Sequence, residues 1–282
     1  MTATTLSINP NQALWEKGDF TRIAATMRGS GDAFVAKLGI KPGLNVLDLG
    51  SGDGTTALPA AKRGAYVRAV DIAQNLVDAG NRRASALGLA NCTFHHGDAC
   101  DLHEIPDQIF DLVVTVFGAM FAPRPIDVAA EMVRVTRPGG RIVMGNWIPN
   151  DPTLVAQILK ISSAYTPPPP AGFVSPMTWG IESNVLERFA LAGVSPACIS
   201  IERDTFTFQH PGTPASFVEL FRNYYGPTMN AFEAAEKKGL ALQLQDQLEA
   251  LVVARNKSTR PDKTIIPATY LRVTVTLPNN KD

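Results

Sequence analysis

Val46-Leu47-Asp48-Leu49-Gly50-Ser51-Gly52-Asp53-Gly54 joins an apolar run to three alternate glycines, and this stretch decides the fold. The run reads as a buried strand over Asn45 to Leu49, and glycines at its carboxyl end read as a tight turn into a helix starting near Thr55. Without a Cβ on Gly50, Gly52 or Gly54, a ligand can come up against the backbone there. A dinucleotide fingerprint would need GxGxxG, but Thr55 stands three residues after Gly52. A P-loop would need a Gly-Lys-Ser or Gly-Lys-Thr, and neither occurs in the chain.

Outward from the loop, short β-branched runs alternate with helical patterns, the mark of a parallel sheet covered by helices. The further strands read as Tyr66 to Asp71, Cys92 to His96, Phe110 to Phe117 and Arg141 to Trp147. Helices are expected over Thr55 to Arg63, Gln74 to Leu87 and Ile126 to Val135, with Gly64 and Gly88 where two of them would end left-handed. Arg137-Pro138-Gly139-Gly140 reads as a turn before the fifth strand.

After Trp147 the texture changes. A helical stretch runs into Pro167-Pro168-Pro169-Pro170, a stiff extended connector. Ile181 to Ala192 reads as a helix and Ala197 to Phe208 as a sixth strand. Its apolar phase moves from Ile199 and Ile201 to Phe206 and Phe208, which predicts a bulge. In the last strand Leu271, Val273, Val275 and Leu277 alternate with Tyr270, Arg272, Thr274 and Thr276. The roughly 60 residues between these two strands exceed any hairpin loop. Phe217, Leu220, Phe221 and Tyr224, then Leu244, Leu248, Leu251 and Val252, give them helical stripes and suggest a cap.

At 282 residues with 45% hydrophobic and 18% charged side chains, the chain is long and apolar enough for a sizeable core. Twenty-six basic and 26 acidic residues leave no global field for a nucleic acid or an anionic membrane, so a small neutral or amphipathic partner is expected. Cys92, Cys100 and Cys198 show no CxxC or paired framework, and the N-terminus shows no signal-type apolar stretch. A cytoplasmic location is expected. Cys92, His95, His96, Asp98 and Cys100 cannot converge on a metal if strand side chains alternate faces, so no metal is expected. No GxSxG supports a serine nucleophile.

About twenty residues past the loop, the second strand ends in Asp71, where a carboxylate can accept both ribose hydroxyls. The third leads into Gly97-Asp98-Ala99, with Asp98 in reach of an adenine amine. This ordered set resembles the class I S-adenosylmethionine-dependent methyltransferases. The resemblance implies a Rossmann-like seven-stranded α/β sheet of order 3-2-1-4-5-7-6 with the last strand antiparallel, flanked by helices, and S-adenosylmethionine as cofactor. It implies a cofactor site of Trp15, Asp48, Gly50, Ser51, Gly52, Gly54, Asp71, Ile72, Asp98, Ala99, Val116 and Phe117. Over roughly Asn11 to Pro278, Trp15 to Ala24, Met120-Phe121-Ala122-Pro123, Trp179-Gly180 and Asn223 to Thr228 also resemble a bacterial small-molecule group related to the ubiquinone/menaquinone-biosynthesis type. The large helical insertion departs from the compact quinone enzymes.

The expected organisation is an N-terminal helical segment (1–40) closing on the cofactor site and a cofactor-binding core (41–147). Cap insertions (148–180 and 209–267) would roof the acceptor pocket, and 181–208 with 268–282 would complete the sheet. Met120, Trp147, Trp179, Tyr224 and Tyr225 are the expected acceptor contacts. His210, with Tyr224 and Tyr225, is the candidate for a general base. The expected function is methyl transfer to an oxygen, nitrogen or carbon of a small, partly apolar metabolite, of the secondary-metabolism kind. A nicotinamide oxidoreductase and a noncatalytic scaffold stay open beside it.

Overall fold

The computed structural model describes residues 12–279. Residues 1–11 and 280–282, which the expected segments 1–40 and 268–282 include, lie outside the described residues.

Seven strands form one sheet: β1 (Asn45–Leu49), β2 (Tyr66–Asp71), β3 (Cys92–His96), β4 (Phe110–Val116), β5 (Thr136–Trp147), β6 (Ile199–His210) and β7 (Thr264–Thr276). Their order is β3-β2-β1-β4-β5-β7-β6. The first five pair parallel, and β7 is antiparallel to both its neighbours. Val46, Leu47 and Leu49 are fully buried, each contributing ~1.5–3 kcal/mol on leaving water.

Among the described residues, three short helices precede the sheet: α1 (Gln12–Glu16), α2 (Phe20–Ala25) and α3 (Arg28–Ala36). The crossovers are α4 (Ala57–Lys62), α5 (Gln74–Ala86) and α6 (Pro125–Val135). Gly64 (φ +87°) and Gly88 (φ +67°) follow the ends of α4 and α5, a backbone that Cβ-bearing residues resist, and Pro125 starts α6 where a missing N–H costs nothing. Beyond β5 come α7 (Val155–Ser163) and α8 (Glu182–Leu191), and between β6 and β7 lie α9 (Pro214–Tyr224), α10 (Gly226–Glu236) and α11 (Ala241–Arg255). Phe217, Phe221, Leu244, Leu248 and Val252 are the buried stripes of α9 and α11.

Two expectations are corrected. The turn expected at 137–140 lies inside β5: its register slips between Phe110–Thr136 and Leu112–Arg141, and Gly139 takes a φ of +72°. The end of the chain holds this stretch extended, because Gly139 N–H donates to the Pro278 carbonyl and Leu277 N–H to that of Gly140. The bulge expected in β6 is absent, since pairing runs unbroken from Ile199–Val275 to His210–Thr264. The apolar phase changes because the two halves bury opposite faces. Phe206 and Phe208 turn to the face of Trp147 and Tyr270, while Ile199 and Ile201 turn to the other.

Candidate active site

The carboxyl ends of the parallel strands border a cleft of about 1200 Å³ counting its open mouth, the concave shape of a small-molecule site. Its polar end is built from the glycine loop. Gly50 and Gly52 have φ of +67° and +55°. A Cβ on Gly50 would lie 2.7 Å from the Ala119 nitrogen and from Gly118, because the β1 turn packs against the exit of β4. A Cβ on Gly52 would meet nothing closer than the Phe20 ring at 4.0 Å, so this glycine keeps the cleft open.

Asp71 ends β2 beside the loop and is 8% exposed. Its Oδ2 accepts the Gly52 N–H at 2.7 Å and its Oδ1 the Ala73 N–H at 2.9 Å. Burial raises its pKa, against these N–H donors and the nearby His96. Asp48, inside β1, also lines the cleft. Burial pushes its carboxyl up to about 8; the Ala57 N–H opposes this and the Asp71 charge adds to it. Asp48 is therefore largely protonated at neutral pH, with Oδ2 unpartnered.

The other end of the cleft is aromatic. Phe117 has a left-handed backbone (φ +61°), a strain of ~1–2 kcal/mol for a residue with a Cβ. Its ring stacks on Trp147 at 3.6 Å and 9°, with Phe206 and Tyr270 edge-on at 5.1 and 5.4 Å; each such pair contributes ~0.5–1.5 kcal/mol. The Phe117 N–H is held by the Gly145 carbonyl at 2.9 Å. Opposing strain and stacking thus fix a bulky side chain at the β4 exit. From the N-terminal helices, Trp15 packs edge-on against Phe121 (4.8 Å), Phe20 (5.5 Å) and Tyr225 (5.9 Å). Val155 comes from segment 148–180, and Phe221 and Tyr225 from 209–267.

Of the residues expected in the site, Trp15, Asp48, Gly50, Ser51, Gly52, Asp71, Ile72, Ala99, Val116, Phe117, Trp147 and Tyr225 line this one cleft. Others fall outside its lining. Gly54 (φ +92°) faces the protein interior, where a Cβ would lie 2.7 Å from the Phe94 ring. Asp98 stands between the lining residues Gly97 and Ala99, but its Oδ1 accepts the Cys100 N–H at 2.8 Å. Met120 is buried core, and Trp179 is buried with the Arg188 guanidinium 4.4 Å from its ring centre. Tyr224 ends α9 half-buried, with Arg22 5.9 Å from its ring centre. The His210 ring shares a 3.0 Å hydrogen bond with Ser216 and packs at 5.7 Å on Phe217, and burial lowers its pKa. Tyr225 is the one residue of the expected catalytic trio in the cleft, and burial pushes its phenol far up, so its hydroxyl keeps its proton. Met27, Asp53, Thr55, Phe206 and Phe208 line the cleft without having been singled out as site residues. Asp53 and Thr55 were signalled only by proximity to the loop and Phe206 and Phe208 by a strand end, while Met27, between α2 and α3, had no such signal.

Among the described residues, no group of three or more His, Cys, Asp or Glu is placed to hold a metal, and no helix is long and apolar enough to cross a membrane.

Residues 47–144 match the sequence profile of the methyltransferase domain. A protein of Mycobacterium tuberculosis, itself uncharacterized, is 33% identical over 245 residues, 86% of either chain. The demethylmenaquinone methyltransferase of Clavibacter sepedonicus is 38% identical over 102 residues, 36% of this chain and 40% of that protein. Among solved structures, phosphoethanolamine N-methyltransferase 2 of Haemonchus contortus, in complex with S-adenosyl-L-methionine, shares the fold. Its TM-score is 0.59 at 17% identity, over 99% of this chain and 62% of that one.

Proposed function

Because the chain belongs to the class I S-adenosylmethionine-dependent methyltransferases, we propose that it methylates an oxygen, nitrogen or carbon of a small, partly apolar metabolite. The observation that carries this reading is the continuity of one cleft from the polar loop of Gly52 and Asp71 to an aromatic chamber walled by Trp147, Phe206, Phe208 and Tyr225.

The residues fit the cofactor. Gly52 leaves the space that a side chain would fill, and Asp71, steadied by two backbone N–H groups, keeps lone pairs for ribose hydroxyls. Ile72 and Ala99 would border the adenine, and Val116 and Phe117 the reacting end. When bound, S-adenosylmethionine supplies a methyl group already activated on a sulfonium sulfur.

The protein's own task is then alignment and exclusion of water, for which well-oriented reactants gain up to ~7–11 kcal/mol. The stacked Phe117–Trp147 pair gives the acceptor a rigid wall, and Trp15 and Phe20 close the cleft from the N-terminal side. Tyr225, protonated, donates a hydrogen bond to an acceptor and removes no proton from it. His210 and Tyr224 are structural in this reading, since neither lines the cleft.

Calorimetric titration with S-adenosylmethionine, S-adenosylhomocysteine and, separately, NADH tests the proposal. Binding of the first two without the third is expected. NADH binding, or binding of none, would overturn it.

A further inference from the structure

Two hydrogen-bond donors in the aromatic chamber are unpaired. Tyr225 is 6% exposed and Trp147 4%, both line the cleft, and neither the phenol hydroxyl nor the indole N–H has a hydrogen-bond partner among the described residues. They stand on different walls, Trp147 in the stack with Phe117 and Tyr225 in the cluster with Trp15 and Phe20. Phe206, Phe208 and Phe221 add further rings to the lining. The other titratable side chains that line the cleft, Asp48, Asp53 and Asp71, all belong to β1, the glycine loop or the end of β2.

Buried polar groups are seldom left unpaired, so the molecule that fills this chamber must bring atoms that accept from both donors. Resting on the methyltransferase reading, we propose that the acceptor is a planar aromatic ring system bearing oxygen substituents, held by Tyr225 and Trp147, and that the methyl group goes to a ring hydroxyl. A flat ring stacks or sits edge-on against aromatic walls and gains more than its buried area gives, which a saturated ring of the same size does not. An oxygen can accept a hydrogen bond on one lone pair and give another to the methyl group, whereas an amine nitrogen has a single pair that a donor would occupy. Tyr225 keeps its own proton, so no side chain at this end takes one, and the nucleophile must arrive ionised. A phenol, with an ordinary pKa of about 10, ionises far more readily than an aliphatic alcohol. Its proton leaves to solvent, the phenolate oxygen gives a lone pair to the methyl carbon, and the carbon–sulfur bond breaks with its electrons going to sulfur. The products are an aryl methyl ether and S-adenosylhomocysteine.

The test uses three probes on one carbon skeleton: 1,5-dihydroxynaphthalene, 1,5-diaminonaphthalene and the saturated decahydronaphthalene-1,5-diol. Each is titrated by calorimetry into the protein saturated with S-adenosylhomocysteine. The aromatic diol should bind about tenfold tighter than the saturated diol and severalfold tighter than the diamine. Tyr225→Phe, which removes only the hydroxyl, should weaken the aromatic diol severalfold and shrink its advantage over the diamine, with S-adenosylhomocysteine affinity as the control for an intact cofactor site. With S-adenosylmethionine, mass spectrometry should find the methyl ether of the aromatic diol, formed about tenfold faster per pH unit from pH 6 to pH 8 as the phenol ionises. Equal affinity for the two diols, a diamine bound as tightly as the aromatic diol, or a rate flat in pH would overturn the assignment of the acceptor. A protein that binds no S-adenosylhomocysteine would instead overturn the methyltransferase reading.

Discussion

Replacing Asp48 by asparagine removes a buried carboxyl whose charged form this fold disfavours. The native carboxyl titrates at about 8 against an ordinary value of 3.8, mainly because it is buried. A raised carboxyl pKa means that the native state holds a proton the unfolded chain has released, so stability falls as pH rises between the two values. Each pH unit in that window removes ~1.4 kcal/mol, so Asp48 alone lowers stability by about 4 kcal/mol between pH 4 and pH 7, and the loss levels off above pH 8. The asparagine side chain fills the same space, keeps an oxygen for the Ala57 N–H and has no proton to lose. Urea unfolding of both proteins from pH 4 to pH 9 measures the difference, in which the contributions of other groups cancel. The Asp48→Asn variant should match the wild type near pH 4 and gain on it steadily to a plateau near pH 8. Parallel stability curves would refute the argument, because they would mean that Asp48 ionises in the native state as it does in water.

Four further outcomes are expected. Gly52→Val should abolish S-adenosylhomocysteine binding in calorimetry while the protein remains folded by circular dichroism, since its side chain would enter the cleft from a backbone at φ +55°. Asp71→Ala should weaken the same ligand roughly tenfold, by removing the proposed ribose acceptor and loosening the Gly52 N–H. Phe117→Ala should lose about 3 kcal/mol or more of unfolding free energy with its ring, whereas Phe117→Gly should lose ~1 kcal/mol less, because glycine relieves the φ of +61°. His210→Gln should leave the rate of methyl transfer and its pH profile unchanged once an acceptor is in hand; a lost acidic limb in the profile would restore His210 as the base.

The local chemistry of the sheet was legible because it is written in neighbouring residues. Strands β1 to β3 fall where short apolar runs end in glycine or aspartate, and α5 ends within a residue of the position set by Gly88. The polar end of the cleft was legible for the same reason, since Gly50, Gly52 and Asp71 sit at strand ends that must share one edge of a parallel sheet. The aromatic end was less so. Tyr224 and Tyr225 are adjacent, yet α9 stops between them and Tyr225 turns extended (φ −101°, ψ 106°), which puts one ring outside the cleft lining and the other within it. Likewise Phe117 reaches the Trp147 stack only through a left-handed residue that no propensity predicts.

By itself the sequence determined which runs are the strands of the sheet, where the helices after β1, β2 and β4 lie, and which loop must lie bare to a ligand. These follow from backbone sterics and from apolar periods of two and 3.6 residues, which act over a few positions. Tertiary structure alone decided which face each half of β6 buries, that 137–140 stays extended against the end of the chain, and that His210 and Trp179 stand outside the cleft while Asp53 and Thr55 enter it. Those outcomes depend on partners far away in the chain, on β7 for the strands and on α3 and α5 for Asp53, and no local pattern carries that information.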